Sequence, residues 1–324
     1  MADWLVEEGI GEDRAIRLDG ATITDAILEW HDDLKAGQVE DAKLVSRRAG
    51  ASRGVARFAN HELVLVDRLP ASASEGAMLR LEVTRAAMFE DRRSKMAQAR
   101  PTDRSPRPAP SLAERMREAG HDVRIVRRFP DCDWDELLGE ALDQRVDYPG
   151  GTLHFSPTPA MTLIDVDGDE TPERAALAAV PAIAASIRRF ALGGSIGIDF
   201  PTIPDKAGRR AVDEALANAL GSWPHERTAM NGFGFVQLVA KAERPSLLHV
   251  LAFRKDRAQI HQLLRRAEML EGAGAIELRL HSHMVDFQLE PALVEELRRR
   301  TGRDVLVVGD DVELAGPSAQ LVPR

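Results

Sequence analysis

Asp165 and Asp199 are the residues of this chain best placed to do chemistry. Asp165 ends the apolar run Met161-Thr162-Leu163-Ile164, and Asp199 ends Gly194-Ser195-Ile196-Gly197-Ile198. A carboxylate directly after a buried strand is costly unless it stands at the strand's exit, where α/β sheets build their sites. The chain between the two is long enough for one helix, so their strands can be neighbours and the carboxylates can converge on one cation. Asp167 falls on the same side two residues on and could add a third oxygen. A few hard oxygen ligands, completed by water, is how magnesium is held; manganese takes the same ligands. Such a cation orients or deprotonates a water and neutralises charge on a phosphate under in-line attack. Aspartates in these positions also cap helices or terminate strands, and that alternative stays open.

Other constellations carry less. Asp165-Val166-Asp167-Gly168-Asp169-Glu170 hints at a calcium loop, but Leu177 stands at the twelfth position where a glutamate is needed. His281 and His283 are expected two apart on one strand, sharing a face without a third ligand nearby in sequence. Cys132, the single cysteine, lies among Asp131, Asp133 and Trp134, where neighbouring carboxylates should raise its thiol pKa and make it a poor nucleophile. It also excludes an intramolecular disulfide or a cysteine-rich zinc module, so no zinc is expected. No phosphate-binding loop, dinucleotide fingerprint or Gly-x-Ser-x-Gly elbow occurs.

The elements that must position the two aspartates read as alternating helices and strands from Trp134 onward. Trp134–Gln144 has helical period, Thr152–Phe155 and Met161–Val166 read as strands, and Thr171–Phe190 is an Ala-rich helix with Pro172 in its first turn. Ser195–Phe200 is an apolar strand, Arg209–Leu220 a helix and Phe233–Ala240 a strand. After Pro245 come a helix at Asp256–Leu270, a strand at Ile276–His281, a helix at Pro291–Arg300 and a strand at Asp304–Val308. The first ninety residues are β-rich, with Asp19-Gly20 a hairpin signal between Ala15–Leu18 and Thr22–Trp30. Short strands follow at Gln38–Val45, Gly54–Phe58, Leu63–Val66 and Met78–Val83. This spacing suggests a small barrel, for which an OB-type nucleic-acid barrel is one candidate.

Between the two lies a composition break. Asp91–Pro110 has four prolines, and Arg92–Arg128 holds eleven Lys/Arg against four Asp/Glu. In a chain of net charge −9 this local excess suggests a phosphate-contacting arm carrying Arg104, Arg107, Arg127 and Arg128. A solvated linker followed by a helix at Leu112–Ala119 with a charged face is the alternative. The expected organisation is therefore α+β and multidomain: a β-rich region with the barrel candidate (1–90), a basic linker or arm (91–130), an α/β core with the acidic site (131–245), a small α/β domain (246–316) and a tail (317–324). Leu321-Val322-Pro323-Arg324 matches the stub of a cleaved purification tag and is excluded from this reading.

Composition narrows the function classes. With 5% aromatic residues and one tyrosine, Tyr148, nucleic-acid binding cannot rest mainly on base stacking and must lean on charge and metal. The apolar run Ala175–Ile187 contains Pro181 and is too short to span a membrane. A lone cysteine and no signal segment lead to the expectation of a cytoplasmic protein.

Gly150-Gly151-Thr152-Leu153 through Met161-Thr162-Leu163-Ile164-Asp165-Val166-Asp167 resembles the catalytic motif of the ribonuclease E/G family, in which a Gly-Gly strand leads to Thr-x-Ile-Asp-Val-Asn. Leu192–Phe200 is similar to the family's second acidic strand, and Arg210-Ala211-Val212 to the helix after it. Gly234-Phe235 and Arg244-Pro245-Ser246-Leu247 resemble the next segment. The resemblance implies an RNA-processing hydrolase: an endoribonuclease of single-stranded RNA, with an OB-type barrel and a DNase I-like catalytic core. Its magnesium would be held by Asp165 and Asp199, with Asp167 in place of the family's Asn, and RNA contacts would come from Arg210 and Lys241. The departures are large. The insert that recognises a 5′-monophosphate end is absent, as is the cysteine zinc link that joins family dimers, so any oligomer would form otherwise. The family's Ser-Arg-Phe-Gly is Asn231-Gly232-Phe233-Gly234, and its paired arginines fall on Ala240 and Ala242, leaving Lys241. A weakly active or inactive RNA-binding protein on the same scaffold is the second implication.

Overall fold

A computed structural model of the chain describes residues 3–31, 33–90, 93–158, 160–242, 244–287, 289–310 and 316–323. The chain begins with a meander of β1 (Trp4–Glu8), β2 (Glu12–Asp19) and β3 (Thr22–Trp30). Asp19-Gly20 makes the expected hairpin turn, pairing Asp19 with Thr22. The chain then leaves this sheet to build a closed five-stranded barrel. Its strands are β4 (Val39–Arg47), β5 (Gly54–Arg57), β6 (Leu63–Val66) and β7 (Met78–Arg85). A hairpin of β8 (Met88–Glu90) and β9 (Arg93–Lys95) follows, and β10 (Ala97–Pro101) closes the barrel in the order β10-β6-β5-β4-β7. Alternation points Ala42, Leu44, Ala56, Val64, Leu81, Val83, Ala97 and Ala99 into one apolar interior.

After the barrel the chain returns. Ser111 and Glu114 form a capping box that starts α1 (Leu112–Glu118), and β11 (Val123–Ile125) adds to β1 in parallel. The barrel is thus an insertion into the first sheet. This corrects two expectations. The Asp19-Gly20 hairpin lies outside the barrel, and the segment read as a linker or arm, 91–130, supplies strands β9, β10 and β11 besides the expected helix α1. Asp91 and Arg92 lie outside the described residues.

The region of the two aspartates comprises α2 (Trp134–Asp143), β12 (Arg145–Tyr148), β13 (Gly151–Pro157), β14 (Thr162–Gly168), α3 (Pro172–Arg189), β15 (Gly194–Asp199), α4 (Lys206–Leu220), β16 (Glu226–Arg227) and β17 (Phe235–Ala240). They make a six-stranded sheet, β12-β13-β14-β15-β17-β16, in which β14 and β15 run parallel and the other pairings are antiparallel. Two parallel neighbours need a crossover, and α3 provides it. Pro172 opens this helix and its face of Ala176, Ala179, Val180, Ile183 and Ile187 is buried against the sheet. Leu153, Phe155, Ile164, Val166, Ile196, Ile198, Val236 and Leu238 meet it from the strands. These residues alternate along each strand, so the opposite face stays open.

The remaining elements are α5 (Leu247–Phe253), α6 (Lys255–Glu268), β18 (Ala275–His281), α7 (Ser282–Phe287), α8 (Pro291–Thr301), β19 (Val305–Asp310) and β20 (Ser318–Val322). Here a three-stranded sheet, β19-β18-β20, packs with α6 and α8 around Ile260, Leu264, Ile276, Leu278 and Leu297. The tag-like tail is part of this sheet: Leu321 pairs with Ile276, Val322 with Ala275, and Leu321 packs on the apolar cluster. Its exclusion from the fold is therefore corrected for Leu321 and Val322; Arg324 lies outside the described residues. A buried fork joins this unit to the first sheet, with Arg265 Nε 2.9 Å and Nη2 3.0 Å from the two oxygens of Glu7.

Candidate functional site

The open face of the six-stranded sheet carries the site. Strand alternation buries Ile164 and Val166 and turns Leu163, Asp165 and Asp167 outward. On β15 the same alternation buries Ile196 and Ile198 and exposes Asp199. In the parallel ladder Thr162 faces Ile196, Ile164 faces Ile198, and Asp165 faces Asp199. The two aspartates are thus directly opposite on adjacent strands, on one face. Backbones of neighbouring strands are about 4.8 Å apart, which sets the scale on which their carboxylates can share a partner.

Two glycines fix the edges of this arrangement. A Cβ on Gly151 would sit 2.0 Å from the Asp167 carbonyl oxygen, so only glycine lets β13 approach the end of β14. Tyr148 Oη donates to the same carbonyl at 2.9 Å. At the other side, Gly234 has φ +93° and a Cβ there would lie 2.3 Å from the Phe200 carbonyl oxygen. This close approach lets the Asn231–Gly234 turn sit directly against the exit of β15.

The electrostatics follow from crowding like charges. Burial raises the Asp165 carboxyl above the ordinary aspartate value, and the charges of Asp167 and Asp199 raise it further; His154 opposes them. Sequence reasoning does not single out His154. It faces Asp165 in the β13/β14 ladder, and its Nε2 lies 3.5 Å from Asp167 Oδ2. The signal is nonetheless in the sequence: Leu153 and Phe155 are plainly core residues, so the residue between them must point to the open face.

The other named residues are dispersed. Lys241 follows the end of β17, where Ala240 pairs with Gly194, whereas Asp199 pairs with Phe235 at the strand's start. Five residues of strand separate the two rows, so Lys241 stands about 20 Å from Asp199 along the sheet. It instead lines a cavity of about 930 Å³ between the barrel and the first sheet, together with Trp30, Lys35, Arg85 and Arg115. Arg104 is 2.5 Å from Glu82 on the barrel, a carboxylate that Arg100 also holds, and the Arg107 backbone bridges to Val39. Arg127 and Arg128 are exposed on the connection from β11 to α2, and Arg210 pairs with Glu214 one turn along α4.

Two further readings change. His281 ends β18 while His283 lies in α7, so they do not share a strand; their Nδ1 atoms are 2.9 Å apart and His283 Nε2 is 3.0 Å from Asp256. Cys132 is half-buried, and burial, ahead of the nearby carboxylates, raises its thiol pKa.

Whether a cation fits can be judged from the donors. Asp165 and Asp199 are ladder partners with Asp167 two residues along on the same face, and the described ion pair to this row is the weakly placed His154. Among the described residues no group of three or more His, Cys, Asp or Glu side chains is placed to hold a metal ion, so Asp167 does not complete a three-carboxylate set with the pair. Two carboxylates with waters and substrate oxygens filling the remaining positions is the arrangement magnesium commonly takes, and the pair fits it.

Fold and site together define a mixed α and β protein with a closed five-stranded barrel and, on a separate sheet, an in-register pair of strand-end aspartates. The sequence model of the ribonuclease E/G family matches residues 88–242, a span that holds the whole acidic sheet. The chain is 34% identical over 132 residues to Ribonuclease G of Escherichia coli (strain K12), covering 37% of this chain and 27% of that protein. Ribonuclease G of Shigella flexneri and of Salmonella typhimurium (strain SL1344) match with the same identity and coverage. The chain thus spans about a quarter of the length of the curated relatives it matches. Among the described residues, no helix is long and apolar enough to cross a membrane.

Proposed function

We propose that this chain is a metal-dependent endoribonuclease that hydrolyses single-stranded RNA, with Asp165 and Asp199 as its catalytic residues. The observation that carries this reading is the direct pairing of Asp165 with Asp199 on adjacent parallel strands. Asp165 and Asp199 would hold magnesium or manganese, with the neighbouring Asp167 beside them. A cation there would orient and acidify a water and neutralise a phosphate. The protein's own contribution is to hold the carboxylates on a rigid sheet whose helix-free face, on which they stand, is open for a phosphodiester. In the net reaction the oxygen of water bonds to phosphorus, the bridging P–O bond breaks, and the leaving oxygen takes up a proton. The closed barrel is taken as OB-like and RNA-binding, the six-stranded sheet as a DNase I-like core, and the location as cytoplasmic. Arg104, Arg107, Arg127, Arg128, Arg210 and Lys241 would contact RNA away from the reacting bond, and zinc has no place in this scheme.

One observation favours a second reading, a weakly active or inactive RNA-binding protein. Gly232, Ala240 and Ala242 stand where the resemblance calls for arginines, and Lys241 is at the far end of β17. Missing phosphate clamps cost several kcal/mol of transition-state stabilisation. The two readings separate on labelled single-stranded RNA incubated with and without magnesium. The enzyme reading expects magnesium-dependent cleavage that Asp199→Asn abolishes while RNA binding persists; binding without cleavage above the Asp199→Asn background would select the second.

A further inference from the structure

Phe233 is the most exposed of the large apolar side chains identified on the surface, at 81%. Its backbone, in contrast, is held on both sides. Asn231 Oδ1 accepts from Phe233 N at 2.9 Å and from Phe235 N at 3.1 Å, and Thr202 Oγ1 donates to the Phe233 carbonyl at 3.3 Å. The turn is closed further by Gly234 N donating to Asn231 O, and by Phe200 N donating to Gly234 O. Gly234 then packs so tightly on Phe200 that no side chain fits between them. A rigid turn therefore presents a bare ring to solvent.

Its location gives the ring a use. Phe235, two residues on, is the strand partner of Asp199, so Phe233 projects from the end of the sheet where the acidic pair stands. Its turn neighbours are Asn231, Gly232 and, across the turn, Thr202; nothing lies within 4 Å of a Cβ at Gly232. Within its turn the ring has only polar and glycine neighbours, too little apolar area for a protein-docking patch. It suits one flat, partly polar partner.

We infer that Phe233 is a stacking platform for an unpaired nucleobase next to the phosphodiester held over Asp165 and Asp199. This rests on the endoribonuclease reading and refines it: the substrate must offer a base free to leave its stack, which a continuous duplex does not. One ring suffices for this, in spite of the chain's low aromatic content, because base–aromatic stacking is insensitive to base identity.

The test uses the full chain and a single-stranded oligoribonucleotide bearing 2-aminopurine at successive positions, with magnesium withheld for binding and added for cleavage. Phe233→Trp should retain affinity and the quenching of one 2-aminopurine position. Phe233→Ala and Phe233→Leu should both weaken binding about tenfold, raising KM more than they lower kcat. Affinity for a fully paired duplex should be the same in all four proteins. Equal single-strand affinity in wild type and Phe233→Ala, or full retention by Phe233→Leu, would overturn stacking while leaving the nuclease reading intact. A change in assembly size by light scattering in Phe233→Ala without loss of RNA affinity would assign the ring to an interface between copies and overturn it as well. Absence of RNA binding by the wild type would overturn both readings together.

Discussion

Replacing Asp165 by Asn should make the cation-free protein more stable. Asp165 faces Asp199 across one strand spacing and has Asp167 two residues along on the same side. At separations of about 5 and 7 Å, unit charges in water repel by about 0.8 and 0.6 kcal/mol before salt screening. Screening at physiological ionic strength roughly halves both, and the unfolded chain retains part of the Asp165–Asp167 repulsion. About 0.5 kcal/mol then remains to be relieved, a rise in Tm of about 1–2 °C at neutral pH and physiological salt, and more at low salt. The pH dependence has a fixed sign. Because the fold raises the Asp165 carboxyl, the native chain holds that proton more tightly than the unfolded chain, so wild-type stability from this group falls as pH rises between the two values. The advantage of Asp165→Asn should therefore fade in acid, where wild-type Asp165 is protonated, and fade also at ~1 M salt. Magnesium should reverse the order, since a ligand at 100 times its Kd stabilises the protein that binds it by about 2.7 kcal/mol. Differential scanning calorimetry of both proteins across salt, pH and magnesium reads all of this. An Asp165→Asn protein that is no more stable than wild type at low salt, or whose gain ignores salt, would refute the like-charge crowding.

Two further outcomes follow from the placement of particular residues. Removing the charges of Arg127 and Arg128 together should weaken RNA binding across sequences and flatten the slope of log affinity against log salt by about 0.7 for each phosphate left unneutralised; Arg104, already engaged by Glu82, should matter less. Leu321→Ala should cost about 1–2 kcal/mol in thermal or urea unfolding, because its side chain packs on the carboxy-terminal cluster, whereas a residue of an inert tail would cost nothing.

The acidic pair is legible in the sequence because an apolar strand run followed by Asp is an expensive arrangement, and the separation leaves room for one helix between neighbouring strands. What the spacing cannot give is register; the ladder supplies it, residue for residue, from Thr162–Ile196 to Asp165–Asp199. The barrel's last strand is hidden for a physical reason. β10 fills its inward positions with Ala97 and Ala99, and its basic and proline neighbours read as solvated chain. Small residues there suit a narrow interior, where Leu44, Leu81 and Val83 already take the space. The tail misleads because Leu-Val before Pro-Arg resembles a protease-site remnant, while its pairing partner, β18, is distant in sequence. Lys241 looks close to the site in sequence, but a strand of six residues carries its end far from its start.

The most direct test of the central claim is incubation of a circular single-stranded RNA, which has no ends, with the wild-type chain and with Asp199→Asn, each with and without magnesium. The account predicts linearisation by the wild type with magnesium alone, at a rate similar to that of a linear RNA, and none by Asp199→Asn, which still binds the circle. A circle that stays intact with bound wild-type protein and magnesium, or one cut equally by Asp199→Asn, would contradict it.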